Sequence, residues 1–478
     1  MNHKRGLIIA PHPDDEILLG GQLMLLLQDQ VEFFVLFVTN GDFTVRLGNK
    51  RMAEAVKSLS VLGIGEDHVL FLGYPNDWEG PTHLYNARED QQLISAIGKT
   101  RTNGTQQLPE YCFLRSGQHH EFTRKNFKAD LRAVMEEIRP DLLVCVDYDT
   151  HPDHRAISLL TEEILGEMFQ EDTQYRPVVL KKFAYNGVWH GEKDYYSLAP
   201  TKHKSDFCYG GGVHELENPS YRWDDRLALE TPQQTRTPLL CQNPLYQAAR
   251  KHRHTTAWYE MRRAVNADVV YWWRPTENLL FEADLAASSG ECRYVRDFKI
   301  FDSGNVMEEG DSLTGKEYAW RPDREDARKE LQIHFSQPVS VSQIHVYEDF
   351  QSCNHIQSLE IQIGTQKYTM EPMPDGTRTE LRLEDAPRTD LVILRILGGE
   401  GSPGISELEL FSRPQSFWEQ CPCLKEAPLE QATFGVATKL LQNAERLCLL
   451  AEFAVRFKIA YEWKRLIRKL QSRQEREK

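Results

Sequence analysis

The chain has 478 residues, 40% hydrophobic and 27% charged, with 57 Lys and Arg against 71 Asp and Glu and a net charge of −14. That length exceeds one ordinary core and implies two or three domains, while an acidic balance without a long basic block argues against nucleic acid as a partner. No run is long and apolar enough to span a bilayer, the nine cysteines are scattered as free thiols in a reducing compartment would be, and the first strand starts too early for a signal peptide, so a cytoplasmic chain is expected.

Leu7 to Ala10 is a short apolar run bounded by Gly6 and reads as a buried strand. It breaks at Pro11 and Pro13, which cannot continue a ladder. The turn that follows, His12-Pro13-Asp14-Asp15-Glu16, carries one imidazole and three carboxylates. A buried helix starts near Leu18. Val31 to Thr39 is a second strand, ending at Asn40-Gly41-Asp42. Arg51 to Leu62 has helical spacing and stops at Gly63. His68 to Leu72 is a third strand, Phe127 to Ile138 a helix, and Leu142 to Asp147 a fourth strand. Strand and helix alternate, which predicts an α/β fold with a mostly parallel sheet and right-handed crossovers. No Gly-x-Gly-x-x-Gly follows the first strand, so a dinucleotide fingerprint is absent.

The fourth strand runs into Tyr148-Asp149-Thr150-His151-Pro152-Asp153-His154. On a helix opening at Pro152, His151 and His154 share a face. Taken singly, each His-Pro-Asp turn also suits an acidic helix N-terminus with an incidental histidine. Two such turns, each after an apolar strand, converge on one crevice if the strands are neighbours. Two imidazoles and a carboxylate bind Zn2+ and leave a position for water, whose pKa the metal lowers to about 7. A second carboxylate suits the proton of that water, and a further His suits the oxyanion and the leaving amine. Asp14 and Asp15 diverge in a turn, so one serves as ligand and the other as base. This is equipment for hydrolysing an amide.

Ala10-Pro11-His12-Pro13-Asp14-Asp15-Glu16 and His151-Pro152-Asp153-His154 resemble the two signature motifs of the PIG-L/LmbE family of zinc-dependent N-acetylglucosamine deacetylases. The similarity extends to Thr39-Asn40-Gly41-Asp42 and to the helix opening at Arg51, over roughly the first half of the chain. The resemblance implies a Rossmann-like fold and Zn2+ held by His12, Asp15 and His154. It implies Asp14 as general base, and His151 as the electrostatic or acid group with its ring fixed by Asp153. Arg51 would contact the sugar or its leaving substituent, and His203 would stand on the substrate side. Two departures are visible: Asp149 stands where many members have Tyr, and Asp206 where the late family stretch has Gln. The expected reaction removes an acetyl group from an N-acetylated amino sugar, free or conjugated. The alternatives are a metal-dependent amide or ester hydrolase on another small molecule, and an inactive glycan- or partner-binding protein. A complete set of ligand and base positions weighs against the last.

The long polar stretches Thr100 to Lys125 and Cys208 to Asp225 read as binding loops or solvated insertions. Helical spacing returns at Leu245 to Asn266, and Trp272 to Glu277 closes a first domain over 1–285. Residues 290–412 show six or more short strands and predict an antiparallel β-sandwich. Its order resembles the galactose-binding-like (discoidin, F5/8 type C) sandwich, which implies either a glycan site or a docking and spacer role. Residues 413–428, with three prolines, read as a linker, and 429–478 as a helical tail. In that tail Phe453, Phe457, Ala460, Trp463, Ile467 and Leu470 form an apolar stripe among seven Lys/Arg and one Glu. Such a helix suits peripheral contact with an anionic membrane or a partner, or packing on the protein itself.

Overall fold

In the computed structural model, strand β1 (Lys4–Ala10) is the middle of the five parallel strands of a seven-stranded sheet, an interior place that its run of buried residues from Gly6 to Ala10 demands. The structure describes residues 4–42, 44–76, 84–149, 151–184, 195–197, 221–222, 225–255, 258, 261, 265, 268–300, 302, 318–349, 354–374, 376–428 and 433–474, with side chains of the last segment described to 456. Beside β1 on one side lie β2 (Val31–Thr39) and β3 (Val69–Tyr74), and on the other β4 (Leu142–Val146) and β5 (Val178–Lys182), all parallel. An antiparallel pair, β6 (Leu227–Glu230) and β7 (Asp268–Arg274), completes the sheet in the order β3-β2-β1-β4-β5-β7-β6. The chain winds one way from β1 to β3 and the other way from β4. The strand order therefore reverses between β1 and β4, where an open sheet leaves a crevice at its carboxyl end.

Helices α1 (Asp15–Leu27), α2 (Val45–Val61), α3 (Tyr111–Ser116), α4 (Arg124–Ile138) and α5 (Pro152–Glu171) occupy the connections. Both α2 and α4 start earlier than apolar spacing predicts. Thr44 and Thr123 cap them by accepting from Leu47 N–H and Asn126 N–H, and their first turns are too short to show a helical apolar period. The stretch Leu245 to Asn266, expected as one helix, yields only α6 (Pro244–Ala249) among its described residues. The chain turns out of it at His252, whose buried ring binds Glu16 2.7 Å away.

The second unit is a sandwich of two antiparallel sheets. One has the order β13-β10-β15, from β10 (Gln343–Glu348), β13 (Thr379–Arg382) and β15 (Ile405–Phe411). The other has the order β12-β11-β14-β9-β8, from β8 (Asp284–Ala287), β9 (Glu330–Ser340), β11 (His355–Ile363), β12 (Gln366–Met370) and β14 (Arg388–Glu400). Leu331, Ile333, Ile344, Val346, Leu359, Leu394 and Leu408 fill the core between them. Strand β12, which was not anticipated, is a polar edge strand with little apolar alternation. Strand β8 pairs with β9, so the sandwich takes its first strand from residues 284–287, which straddle the end drawn for the first domain at 285.

Two further expectations change. Residues 413–428 are a strap, not a free linker. It contains α7 (Phe417–Gln420), puts Phe417, Cys421 and Leu424 into the first core, and hydrogen-bonds along the outer edge of β6 through Glu230 N–H to Lys425 O and Ala427 N–H to Ala228 O. An edge strand leaves a row of backbone groups to satisfy, and the strap satisfies them. The last helix, α8 (Val436–Gln474), is docked on the first unit: Glu445 accepts Leu240 N–H and Cys241 N–H at 2.8 Å each and the Tyr196 hydroxyl at 2.6 Å. Phe453, the first member of the expected apolar stripe, packs against the first core, and its later members lie outside the described side chains. Among the described side chains of α8, the exposed large apolar residues are Val436, Leu440, Leu441, Leu447, Leu450 and Val455. No helix among the described residues is long and apolar enough to cross a membrane.

Candidate metal centre

Because β1 and β4 are paired, with Ile9 opposite Cys145, their carboxyl ends deliver both His-Pro-Asp turns to one point. The first turn closes by Asp15 N–H to His12 O, 3.1 Å, and places Asp14 at φ 127°. A non-glycine residue there costs about 1–3 kcal/mol, so something must hold it. Fully buried Glu16 does: one oxygen accepts Asp14 N–H at 2.8 Å, and the other accepts from Ser58 at 2.9 Å and from His252 at 2.7 Å. The second turn closes at His151, the N-cap of α5, whose Nδ1 accepts Asp153 N–H at 3.1 Å, with Pro152 at the first helical position.

The rings of His12, His151 and His154 meet, with one nitrogen from each inside a 4.8 Å cluster. Their tautomers follow from the outer partners. His12 Nε2 lies 2.9 Å from Asp153 Oδ2, and His154 Nδ1 lies 2.8 Å from Asp149 Oδ2, so each of these nitrogens carries the proton. The opposite nitrogens then turn lone pairs inward. His12 Nδ1, His154 Nε2 and Asp15 Oδ2 face one another with edges of 3.0, 3.4 and 3.4 Å. Three buried acceptors at that separation need a positive charge between them. A tetrahedral zinc ion with ligand distances near 2.0–2.1 Å has edges of roughly 3.3 Å, so the donor set fits one. Without an ion, a proton supplies that charge: burial opposes charge on His154, yet Asp149 and Asp15 outweigh it and raise the ring to about 10, so a metal that binds here displaces the proton from Nε2. Burial also works against an ionised Asp15, but His154 and His12 hold its carboxyl far below the usual carboxylate range.

His151 differs. Burial and the neighbouring His12 and His154 push it down to about 3, so it is uncharged near neutrality. Its Nδ1 accepts a backbone N–H, which leaves the ring proton on Nε2 as a donor. Asp14, which precedes Asp15 in the turn, has its Oδ1 3.2 Å from the Arg51 guanidinium; burial raises its carboxyl and Arg51 pulls it back.

Two expected roles shift with this geometry. Asp153 was expected to fix the His151 ring; its carboxylate lies 3.9 Å from His151 Nδ1 but 2.9 Å from His12 Nε2, so the ring it holds is that of His12. Arg51 was expected against the sugar; its buried guanidinium donates to Gly41 O at 3.0 Å, Pro13 O at 2.8 Å and Asp14, tying the turns after β1 and β2 together. Gly41 makes room for it: at φ +60°, an added Cβ would lie 2.3 Å from Arg51 Nη1. His203 lies outside the described residues.

Sequence reasoning missed three supports: Glu16, His252 and Asp149. Asp149 is the most informative. Fully buried, it accepts His151 N–H at 2.9 Å through one oxygen, and His154 Nδ1–H at 2.8 Å and Ala184 N–H at 3.1 Å through the other. Its signal was a carboxylate two positions before the first histidine of the turn, where the motif comparison led to Tyr. Asp149→Asn is expected to weaken zinc binding about 10–100-fold, because the partner that orients a ligating imidazole is lost. A zinc titration against a competing chelator measures this, and unchanged affinity would remove Asp149 from the centre.

Residues 7–165 match the family model described as PIG-L: GlcNAc-PI de-N-acetylase. No curated protein matches the chain. Among solved structures, the chain is similar to an N,N'-diacetylchitobiose deacetylase from Pyrococcus horikoshii complexed with its inhibitor MPG, at 17% identity over 57% of this chain and 85% of that one, with a TM-score of 0.32. It is also similar to the family 32 CBM of C. perfringens NanJ in complex with galactose, at 15% identity over 27% of this chain and 94% of that one, with a TM-score of 0.22. A third is the lectin domain of lectinolysin complexed with Lewis B antigen, at 15% identity over 29% of this chain and 99% of that one, with a TM-score of 0.23.

Proposed function

We propose that the first unit is a zinc-dependent N-deacetylase acting on the acetamido group of an amino sugar. One observation carries this reading: three buried acceptors, His12 Nδ1, Asp15 Oδ2 and His154 Nε2, converge at the strand-order reversal. The base is assigned to Asp14, the neighbour of Asp15 in the same turn. The family match over residues 7–165 supports the acetamide as substrate. When bound, zinc supplies a Lewis acid for the amide carbonyl and a water of lowered pKa.

The protein's own part follows from the contacts. Asp153 and Asp149 keep the His12 and His154 lone pairs turned inward. Arg51 holds one oxygen of Asp14, and the other is the acceptor for the water proton. His151, uncharged, offers Nε2–H to the oxygen on which charge develops. The proton taken by Asp14 then passes to the departing amine, so that acetate and a free amino sugar leave.

The test uses the full zinc-loaded chain and mass spectrometry of N-acetylated amino sugars presented free, nucleotide-linked and lipid-linked. The expected result is loss of one acetyl group from at least one class, abolished by a chelator and restored by zinc. Absence of acetate release from every class, at full zinc occupancy, would overturn the reading.

A further inference from the structure

The connection from β3 to α4 gathers a second set of potential ligands. Cys112 sits on α3, His120 in the turn after it and Asp130 on α4, and one donor atom of each lies within 4.8 Å of the others. We propose that these residues form a second metal site, a sulfur, nitrogen and oxygen set suited to Zn2+, that clips this long connection to α4 and is independent of the first centre.

The ligand chemistry is the first argument. Cys sulfur, His nitrogen and Asp oxygen are all zinc ligands, and this borderline-soft ion takes the three together. The spacing is the second. His120 Nδ1 is 2.8 and 3.0 Å from the two Asp130 oxygens, and Glu110 Oε1 is 4.0 Å from Cys112 Sγ, within a side-chain adjustment of a fourth ligand position. The supports are the third. Tyr74 donates its hydroxyl to Asp130 at 2.7 Å, while Thr102 donates to Glu110 at 3.3 Å and touches Cys112 Sγ at 3.1 Å. Such outer contacts orient ligands.

Charge is the fourth argument. Glu110 and Asp130 are buried, at 1% and 5% exposure, and their ion-pair partners are the imidazoles of His119 and His120. Among the described residues, neither carboxylate has a lysine or arginine at ion-pair distance. Two buried carboxylates without a permanent cation call for one. His120, partly exposed, marks the way in. On binding, the Cys112 thiol gives its proton to solvent and the thiolate becomes the ligand.

The position gives the site a use. The same connection carries Asn103, whose carbonyl accepts from Asn40 at 2.6 Å, and Lys99, 3.7 Å from Asp42. Asn40 and Asp42 belong to the turn after β2 that Arg51 ties to the first centre. A metal at Cys112 would therefore brace one wall of the crevice.

Cobalt(II) separates the two sites, because a sulfur ligand gives a near-ultraviolet charge-transfer absorption that the first centre, which has no sulfur, cannot. The full chain should bind two metal ions by elemental analysis and show the sulfur band with cobalt. Cys112→Ser and His120→Ala should each lose one equivalent and the band while keeping the other ion. Asp15→Asn should lose the other ion and keep the band. A band absent at cobalt saturation, or a metal content that neither Cys112→Ser nor His120→Ala changes, would overturn the second site and leave the first untouched.

Discussion

Asp14→Asn is expected to lower turnover about 10²–10⁴-fold while the protein keeps its fold and metal content, the range that loss of a general base spans. The substitution isolates the base because everything else about position 14 is retained. Asn has the shape of Asp and tolerates positive φ better than most residues, so the backbone at φ 127° stands, still held by Glu16. Its amide oxygen still accepts from Arg51. Only the basic second oxygen is gone. Asp14 is also well placed in energy for the task, since burial raises its carboxyl and Arg51 limits that rise. Steady-state turnover and metal analysis on the same sample decide the matter. Unchanged turnover would end the assignment of Asp14, and loss of metal together with turnover would make it a ligand instead.

Arg274→Met is expected to cost about 3–5 kcal/mol of stability, as loss of one partner of a buried ion pair does. Arg274 is 1% exposed on β7 and lies between carboxylates of the two units, with Nη1 3.5 Å from Glu162 and Nη2 3.8 Å from Glu409 on β15. The network continues both ways. Lys181 lies 2.9 Å from Glu162 and donates to Ser158 at 2.8 Å, and Ser158 donates to Asp147 at the end of β4 at 3.1 Å. On the sandwich side Glu409 meets His345 at 2.9 Å. Met keeps the volume and removes the charge.

The sign of the pH dependence follows. Burial already raises the Glu162 carboxyl, against the pull of Lys181 and Arg274, so removing Arg274 raises it further. A carboxyl with a folded-state pKa above its unfolded value binds more protons when folded, and the stability it allows falls as pH rises through the folded value. The deficit of the variant should therefore grow from mildly acidic pH toward neutrality. Urea unfolding of both proteins across that range measures it. A loss that does not change with pH would mean that Arg274 acts by packing on Phe298, over whose ring it sits at 4.3 Å, and not by its charge.

Contacts within a few residues were open to reading without coordinates. The apolar runs of β1, β2 and β4 and the prolines that end β1 are local facts, and so is the change from alternating helix and strand to strands alone. The two His-Pro-Asp turns were legible for the same reason. What sits across the chain was not. Whether the two turns share a crevice depended on β1 lying beside β4, and periodicity within either strand says nothing of its neighbour. Asp153 belongs to His12, 141 positions away, although His151 is the nearer ring in sequence. Arg51 spends itself on backbone oxygens of two other turns, and nothing in its own helix says so. Prolines at 413–428 suggested a linker, but an unpaired sheet edge took the segment up.

By itself, then, the order of amino acids determined the kinds of elements, the α/β character of the first unit, the sandwich character of the second and the inventory of histidines and carboxylates. Backbone preference and apolar period act over a few residues, which is why they survive in the bare string. Only the tertiary structure decided which acceptor faces which, because a site built from turns more than a hundred residues apart is created by strand order and burial, and these belong to the folded chain as a whole.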